Sequence, residues 1–243
     1  MKDYLKDLID HTHGLGVIDL IKVTGTDTET NVNALAENKT VIIDATFNDP
    51  IADFIGTFGM PNLGKLKTIL GFDDYNKDAT ISVTREDRNG VDTPIAIHFQ
   101  TQNNDFVNDY RLMSKNLIEE KVKDVKFKGA QWNIEFEPTI AGIQRLKKQA
   151  QANSEEAHFT IKTENNDLKI YFGEPATHSG NFVFQTSISG KLNNTWKWPV
   201  AEFIGIMDLV GDKKIRLSDA GIAEVVVDSG IATYTYYLPA NTK

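Results

Sequence analysis

Cysteine is absent from all 243 residues. That excludes a disulfide framework, thiolate metal centres and a cysteine nucleophile. No apolar run approaches the length of a bilayer span. Met1–His13 sets Lys and Asp among Leu and Ile and lacks the apolar core of a signal peptide. A soluble protein of a reducing, cytoplasmic compartment is therefore expected. Positive charge is not in excess. The net charge of -8 argues against a surface basic all over, but leaves room for one local basic face. Gly56–Gly64 holds three glycines in neither a dinucleotide-binding nor a Gly-Lys-Ser/Thr phosphate-loop spacing, and no Gly-x-Ser-x-Gly elbow occurs. Turn and helix-start duty explains those glycines better, and no cofactor is implied.

The composition that remains, 40% hydrophobic and 25% charged, is that of a globular chain with one large domain or two ordinary ones. Helical periodicity predicts helices over Lys2–Thr12, Pro61–Leu70, Pro138–Ala152 and from Pro199 through Phe203, Ile206, Met207 and Val210. Strand-like runs fall at Val17–Thr24, Asn31–Ala36, Thr40–Phe47, Ile51–Thr57, Ala79–Arg85, Pro94–Thr101 and Asp105–Met113. They resume at Trp132–Phe136, Ala157–Thr163, Leu168–Phe172, Asn181–Ile188 and Thr195–Trp198. A closing meander follows at Lys213–Leu217, Glu224–Asp228 and Ile231–Leu238. Between them, the lysine-rich Ser114–Lys128 reads as an extended connector.

The two halves match. Ile21-Lys22-Val23 answers Ile161-Lys162-Thr163, and Pro61 answers Pro199, each at an offset of about 140 residues. This points to two copies of one unit, helix–strands–helix–strands, with coincidence in an ordinary α+β protein as the alternative. Antiparallel sheets bury one face and wet the other. Helices on the same side of both halves would make a curved slab, helices inside and sheet outside.

Chemistry is sparsely signalled. His11-Thr12-His13 resembles a metal pair, but on a helix those positions lie about 200° apart, and no acidic or histidine set nearby completes a site. A frayed polar helix end is the plainer account. His98, His158 and His178 are scattered. One helix is a charge exception: Pro138–Asn153 has no Asp or Glu, and opposite the stripe Ile140, Ile143, Leu146 it projects Arg145 and Lys148, with Lys147 on a flank. That is either a solvated surface or a phosphate-facing one. Lys65 and Lys67 flank the stripe of the equivalent first-half helix, and Lys6 is on the first helix, where Asp3, Asp7 and Asp10 share the outer face.

In combination, Asn62–Arg85, Phe106–Ser114 and Lys213–Ala240, with its Tyr236-Tyr237-Leu238 ending, make the chain resemble the DNA sliding clamps of the two-domain PCNA-like type, in a compact, tailed-phage version. The resemblance implies an α+β fold of two tandem clamp domains, 1–114 and 131–243 with a connector at 115–130, sheets outside and helices inside. It implies a homotrimeric ring around double-stranded DNA, bound without regard to sequence. It further implies a tethered DNA polymerase, a clamp-loader ATPase as partner, no membrane, no metal and no catalysis, in the cytoplasm or nucleoid of a host. By position, Lys6, Lys65, Lys67, Arg145, Lys147 and Lys148 would face DNA, the acidic residues of the first helix departing from the family's positive lining. Tyr110, Leu112, Phe182 and Phe184 would lie at the subunit contact. Leu35, Val41, Leu117, Ile118, Ile222, Tyr237 and Pro239 would form a pocket for partner peptides. The alternatives are a non-catalytic oligomeric structural or scaffold protein, and a small hydrolase built on His98, His158 and scattered Asp residues.

Overall fold

The computed structural model describes residues 1–88, 90–122, 127 and 129–241. Two compact units result: Met1–Lys126 with Ser229–Tyr234, and Phe127–Asp228 with Thr235–Lys243. The connector positions 123–126 and 128 lie outside the described residues.

The first unit opens with helix α1 (Lys2–His11), whose Leu5, Leu8 and Ile9 recur at helical spacing and are buried. Strands β1 (Leu20–Gly25), β2 (Thr30–Leu35), β3 (Ile42–Phe47) and β4 (Gly56–Pro61) follow. They pair antiparallel in the order β4-β1-β2-β3. Helix α2 (Leu63–Leu70) packs on α1. Strands β5 (Thr80–Arg88), β6 (Val91–Gln100) and β7 (Val107–Arg111) form a second sheet in that order, and α3 (Lys115–Lys121) lies on β4. Ser229–Tyr234, the start of the closing strand, also belongs to this unit and runs beside β3. The Asn48 amide donates to the Ile231 carbonyl at 2.9 Å.

The second unit repeats this plan. After β8 (Ile134–Phe136) come α4 (Ile140–Ala152), β9 (His158–Glu164), β10 (Asp167–Gly173), β11 (Ser179–Gln185) and β12 (Lys197–Pro199). Their order, β12-β9-β10-β11, is that of β4-β1-β2-β3. Helix α5 (Val200–Asp208) packs on α4, and the meander β13 (Asp212–Ser218), β14 (Ile222–Asp228), β15 (Ala232–Pro239) takes the place of β5-β6-β7. Helix α4 lies on β10 and β11, and α5 on β12. The core here is aromatic: Phe203 meets Phe159 edge-on at 5.1 Å and Phe184 at 6.4 Å. Fully burying one such ring stabilises by about 1.5–3 kcal/mol.

The duplicated unit is therefore real, but several details differ from expectation. Pro61 and Pro199 each end an edge strand; Pro199 is also the N-cap of α5, whereas α2 starts two residues after Pro61 with Asn62 as its N-cap. Edge positions tolerate a residue without an amide hydrogen. Ile51–Thr57 contains a short 3-10 turn, Ala52–Phe54, before β4 begins. The connector is not extended throughout, because Lys115–Lys121 is helical and buries Ile118. Ile140 is 76% exposed and Val210 80% exposed, so neither belongs to a buried stripe. Ile140 is the first residue of its helix, and Val210 lies beyond the end of α5. Asp7 does not share the outer face with Asp3 and Asp10. Its side chain is turned inward, 9% exposed.

Candidate nucleic-acid and partner interfaces

Each unit presents a packed pair of helices. On α2, Leu63, Leu66, Ile69 and Leu70 are buried, which leaves Lys65 and Lys67 exposed. On α1, Lys6 is exposed between Asp3 and Asp10, so its charge is locally offset. On α4, the Thr139 side chain accepts from the Gly142 amide at 3.0 Å and caps the helix. Leu146 is buried, and Arg145, Lys147 and Lys148 are all exposed. These three do not act alike. Lys147 Nζ contacts both carboxylate oxygens of Asp208 on α5, at 2.8 and 2.9 Å. Exposed cations of this kind are suited to contacts with phosphate oxygens.

Two of the terminal strands bear on a subunit contact. In the first unit β7 is the last strand of its sheet, and in the second β11 is the last of its own. Tyr110 and Phe184, expected at a subunit contact, are instead buried at 2% and 3% exposure. The Tyr110 hydroxyl donates to the Pro61 carbonyl. Burial, with the nearby charge of Asp19, pushes its pKa up, so it stays a donor. Phe184 is the extra residue of a β-bulge, since Gln185 pairs with Leu168 and Val183 with Lys169, and its ring joins the core. Leu112 and Phe182 are half-buried and remain available at the two edges.

The expected pocket residues divide between the units. In the first, Val41 and Ile118 are fully buried and offer a peptide no surface. Ile118 packs on β4, where the position of a Cβ on Gly59 would lie 2.8 Å from its Cδ1. Leu35 is half-buried and Leu117 is 52% exposed. In the second, Ile222 and Tyr237 are half-buried and Pro239 is exposed. Tyr237 and Pro239 lie on the face of β15 opposite the buried Tyr236 and Leu238, as strand alternation requires.

Four of the five histidines have side-chain partners. The His11 ring stacks on Tyr234 at 4.5 Å, and its Nδ1 lies 2.9 Å from the Asp7 carbonyl oxygen. It is 3% exposed, not part of a frayed end. His13 Nδ1 lies 3.1 Å from the Ile18 carbonyl oxygen. His98 pairs with Asp109 at 2.8 Å, and His158 Nε2 is 2.6 Å from Asn241 Nδ2. Among the described residues no cluster of three or more metal-ligating side chains forms, and no helix is long and apolar enough to cross a membrane.

Sequence reasoning missed a row of side chains in the second unit. Phe127 stacks on Tyr237 at 4.5 Å and meets Trp132 at 5.9 Å, and the Arg216 guanidinium lies 4.9 Å over the Trp132 ring. Arg216 Nε donates to the buried Glu224 at 2.6 Å. Arg216 and Glu224 face each other across the β13–β14 hairpin, a pairing that the hairpin register could have given. Phe127 carries no such signal, because nothing periodic ties it to Tyr237.

No protein-family model matches the chain, and no curated protein matches it in sequence. Solved structures match in fold. A PCNA of Archaeoglobus fulgidus, solved with the C-terminal region of FEN-1 bound, aligns over 100% of this chain and 95% of its own at a TM-score of 0.69 and 10% identity. The PCNA of Thermococcus kodakaraensis aligns over 99% of this chain and 95% of its own at 0.65, also with 10% identity. The chain has the PCNA fold along its whole length.

Proposed function

We propose that this protein is a DNA sliding clamp: a homotrimeric ring that encircles duplex DNA and tethers a replicative DNA polymerase. In this reading 1–114 and 131–243 are the clamp domains and 115–130 is their connector. The observation that carries it is the pattern of strand edges within the repeat. In the first unit β3 has the start of the closing strand beside it. Among the described residues its counterpart β11 has no outer neighbour, and neither has β7, the counterpart of β15. A β7 edge of one copy on a β11 edge of the next would complete the series. Leu112 and Phe182 supply apolar side chains there, and Tyr110 and Phe184 stiffen the two strands from below.

The helix pairs then supply the inner wall, with Arg145 and Lys148 as its strongest contacts to DNA, joined by Lys65 and Lys67. Lys6 and Lys147 contribute less, because carboxylates lie beside them. Binding of this kind is electrostatic and sequence-blind. The chain itself is assigned no catalytic step, so ring opening falls to a separate clamp-loader ATPase. Partner peptides bind in the second unit, at Ile222, Tyr237 and Pro239 of the expected pocket.

The test is solution mass by light scattering over a dilution series, followed by polymerase extension on primed circular DNA. A species of three times 27.2 kDa, together with longer products per binding event, is the expected result. A monomer at every concentration that leaves polymerase processivity unchanged would reject the reading.

A further inference from the structure

We propose that Phe127 is a built-in occupant of the aromatic site on Tyr237, which a partner peptide must displace; this rests on the partner-binding reading above. All the residues involved lie in the second unit. Tyr237 presents its ring on the face of β15 away from the core, and Phe127 covers it with planes inclined by 29° and centroids 4.5 Å apart. That is offset-stacking geometry. The carboxylate nearby, Glu224, is neutralised by Arg216. The Tyr237 ring already takes an aromatic side chain, and the site is open to another of the same kind.

Trp132 is fixed by the Arg216 guanidinium, itself held by Glu224. Phe127 makes ring contacts to Tyr237 and Trp132. Between them Gly129 has φ +87°, and no atom lies within 4 Å of where its Cβ would be. That backbone conformation favours glycine. In this proposal the covered state depends on the backbone at Gly129, and Phe127 leaves while Trp132 stays. Covering Tyr237 shields apolar surface while no partner is bound. It also selects partners, since the apparent affinity falls by the fraction of molecules in which the site is uncovered.

The experiment uses the full chain, with Phe127→Ala, Gly129→Ala and Tyr237→Ala. Two readouts are taken: nitration of Tyr237 by tetranitromethane, mapped by mass spectrometry, and anisotropy of a fluorescein-labelled FEN-1 C-terminal peptide. Phe127→Ala is expected to nitrate faster at Tyr237 and to bind the peptide about five-fold tighter, the scale of one aromatic pair. Gly129→Ala should shift both readouts in the same direction while keeping the ring, and Tyr237→Ala should lose the peptide. Equal or weaker binding by Phe127→Ala would make Phe127 a wall of the site and overturn the proposal. Unchanged nitration in Phe127→Ala would overturn it by showing Tyr237 already open. Faster nitration with no peptide bound by any form would sink the partner-binding reading, and the displacement proposal with it.

Discussion

The Tyr234 hydroxyl donates to the Asp7 carboxylate at 2.7 Å, joining residues 227 positions apart. This bond ties α1 to the start of the closing strand inside the first unit. Ser229 Oγ lies 3.1 Å from the same carboxylate oxygen, and His11 stacks on the tyrosine ring. Tyr234→Phe should cost about 1.5–3 kcal/mol in urea unfolding, the usual contribution of a hydrogen bond to a charged group. No loss of stability would show that Asp7 finds an equivalent donor.

The same cluster sets an acid response. Burial alone would raise the Asp7 pKa, but hydrogen bonds from His11, Tyr234 and Ser229 outweigh it and hold the carboxyl below its ordinary value. A depressed carboxyl stabilises the fold above the unfolded pKa of about 3.9. That contribution disappears as pH falls through the lower folded value. Asp7→Asn should therefore be less stable than wild type at neutral pH, and the difference should shrink in acid. Parallel stability curves down to about pH 2 would rule the linkage out.

The repeat and its helices were legible because periodicity reports which face of an element is buried, and four buried positions on α2 are plain in the chain. The cationic face of α4 was legible for the same reason. Periodicity is silent about which distant element a side chain meets. Asp7 looked like a surface carboxylate because its partners, Ser229 and Tyr234, lie at the other end of the chain. Tyr110 and Phe184 looked available because alternation marks faces without saying which face is covered. Ile118 looked like a pocket residue in a loop, yet Lys115–Lys121 forms a helix that buries it against a glycine on β4.

That contact carries its own prediction. A Cβ on Gly59 would come within 2.8 Å of Ile118 Cδ1 and 3.1 Å of its Cβ, so a rotamer change alone does not relieve the clash. Gly59→Ala should destabilise by about 1–3 kcal/mol as α3 shifts. Ile118→Ala should cost about 2–5 kcal/mol through the cavity it leaves. The double variant should cost less than the sum, because the new methyl enters the emptied space. Strict additivity in denaturant unfolding would mean that the two sites are independent.

His98 offers a titration on the β6–β7 sheet. The Asp109 hydrogen bond raises its pKa, burial opposes this, and Gln100 adds to the rise. A raised histidine pKa stabilises the fold fully below the unfolded value of about 6.5. The benefit is lost as pH climbs through the folded value. NMR titration of the imidazole should show the upward shift, and Asp109→Asn should abolish most of it. An unchanged midpoint in Asp109→Asn would assign the shift elsewhere.

The unequal pairing of the α4 cations separates two kinds of basic residue. Arg145 and Lys148 are exposed on a helix without carboxylates, whereas Lys147 is already committed to Asp208 at 2.8 Å. Pairs as exposed as this contribute at most about 1 kcal/mol to folding, so breaking them should leave the fold intact. Their effect on DNA contact should be larger. Each phosphate neutralised adds about 0.9 to the slope of log affinity against log salt. Arg145→Ala with Lys148→Ala should flatten that slope by about two contacts' worth in anisotropy measurements on linear duplex DNA. Lys147→Ala alone should change it little, while Asp208→Asn, which releases Lys147, should steepen it. An equal effect of all three alanine substitutions would show that the Asp208 pair opens on DNA. A slope that none of them changes would remove α4 from the DNA-facing wall.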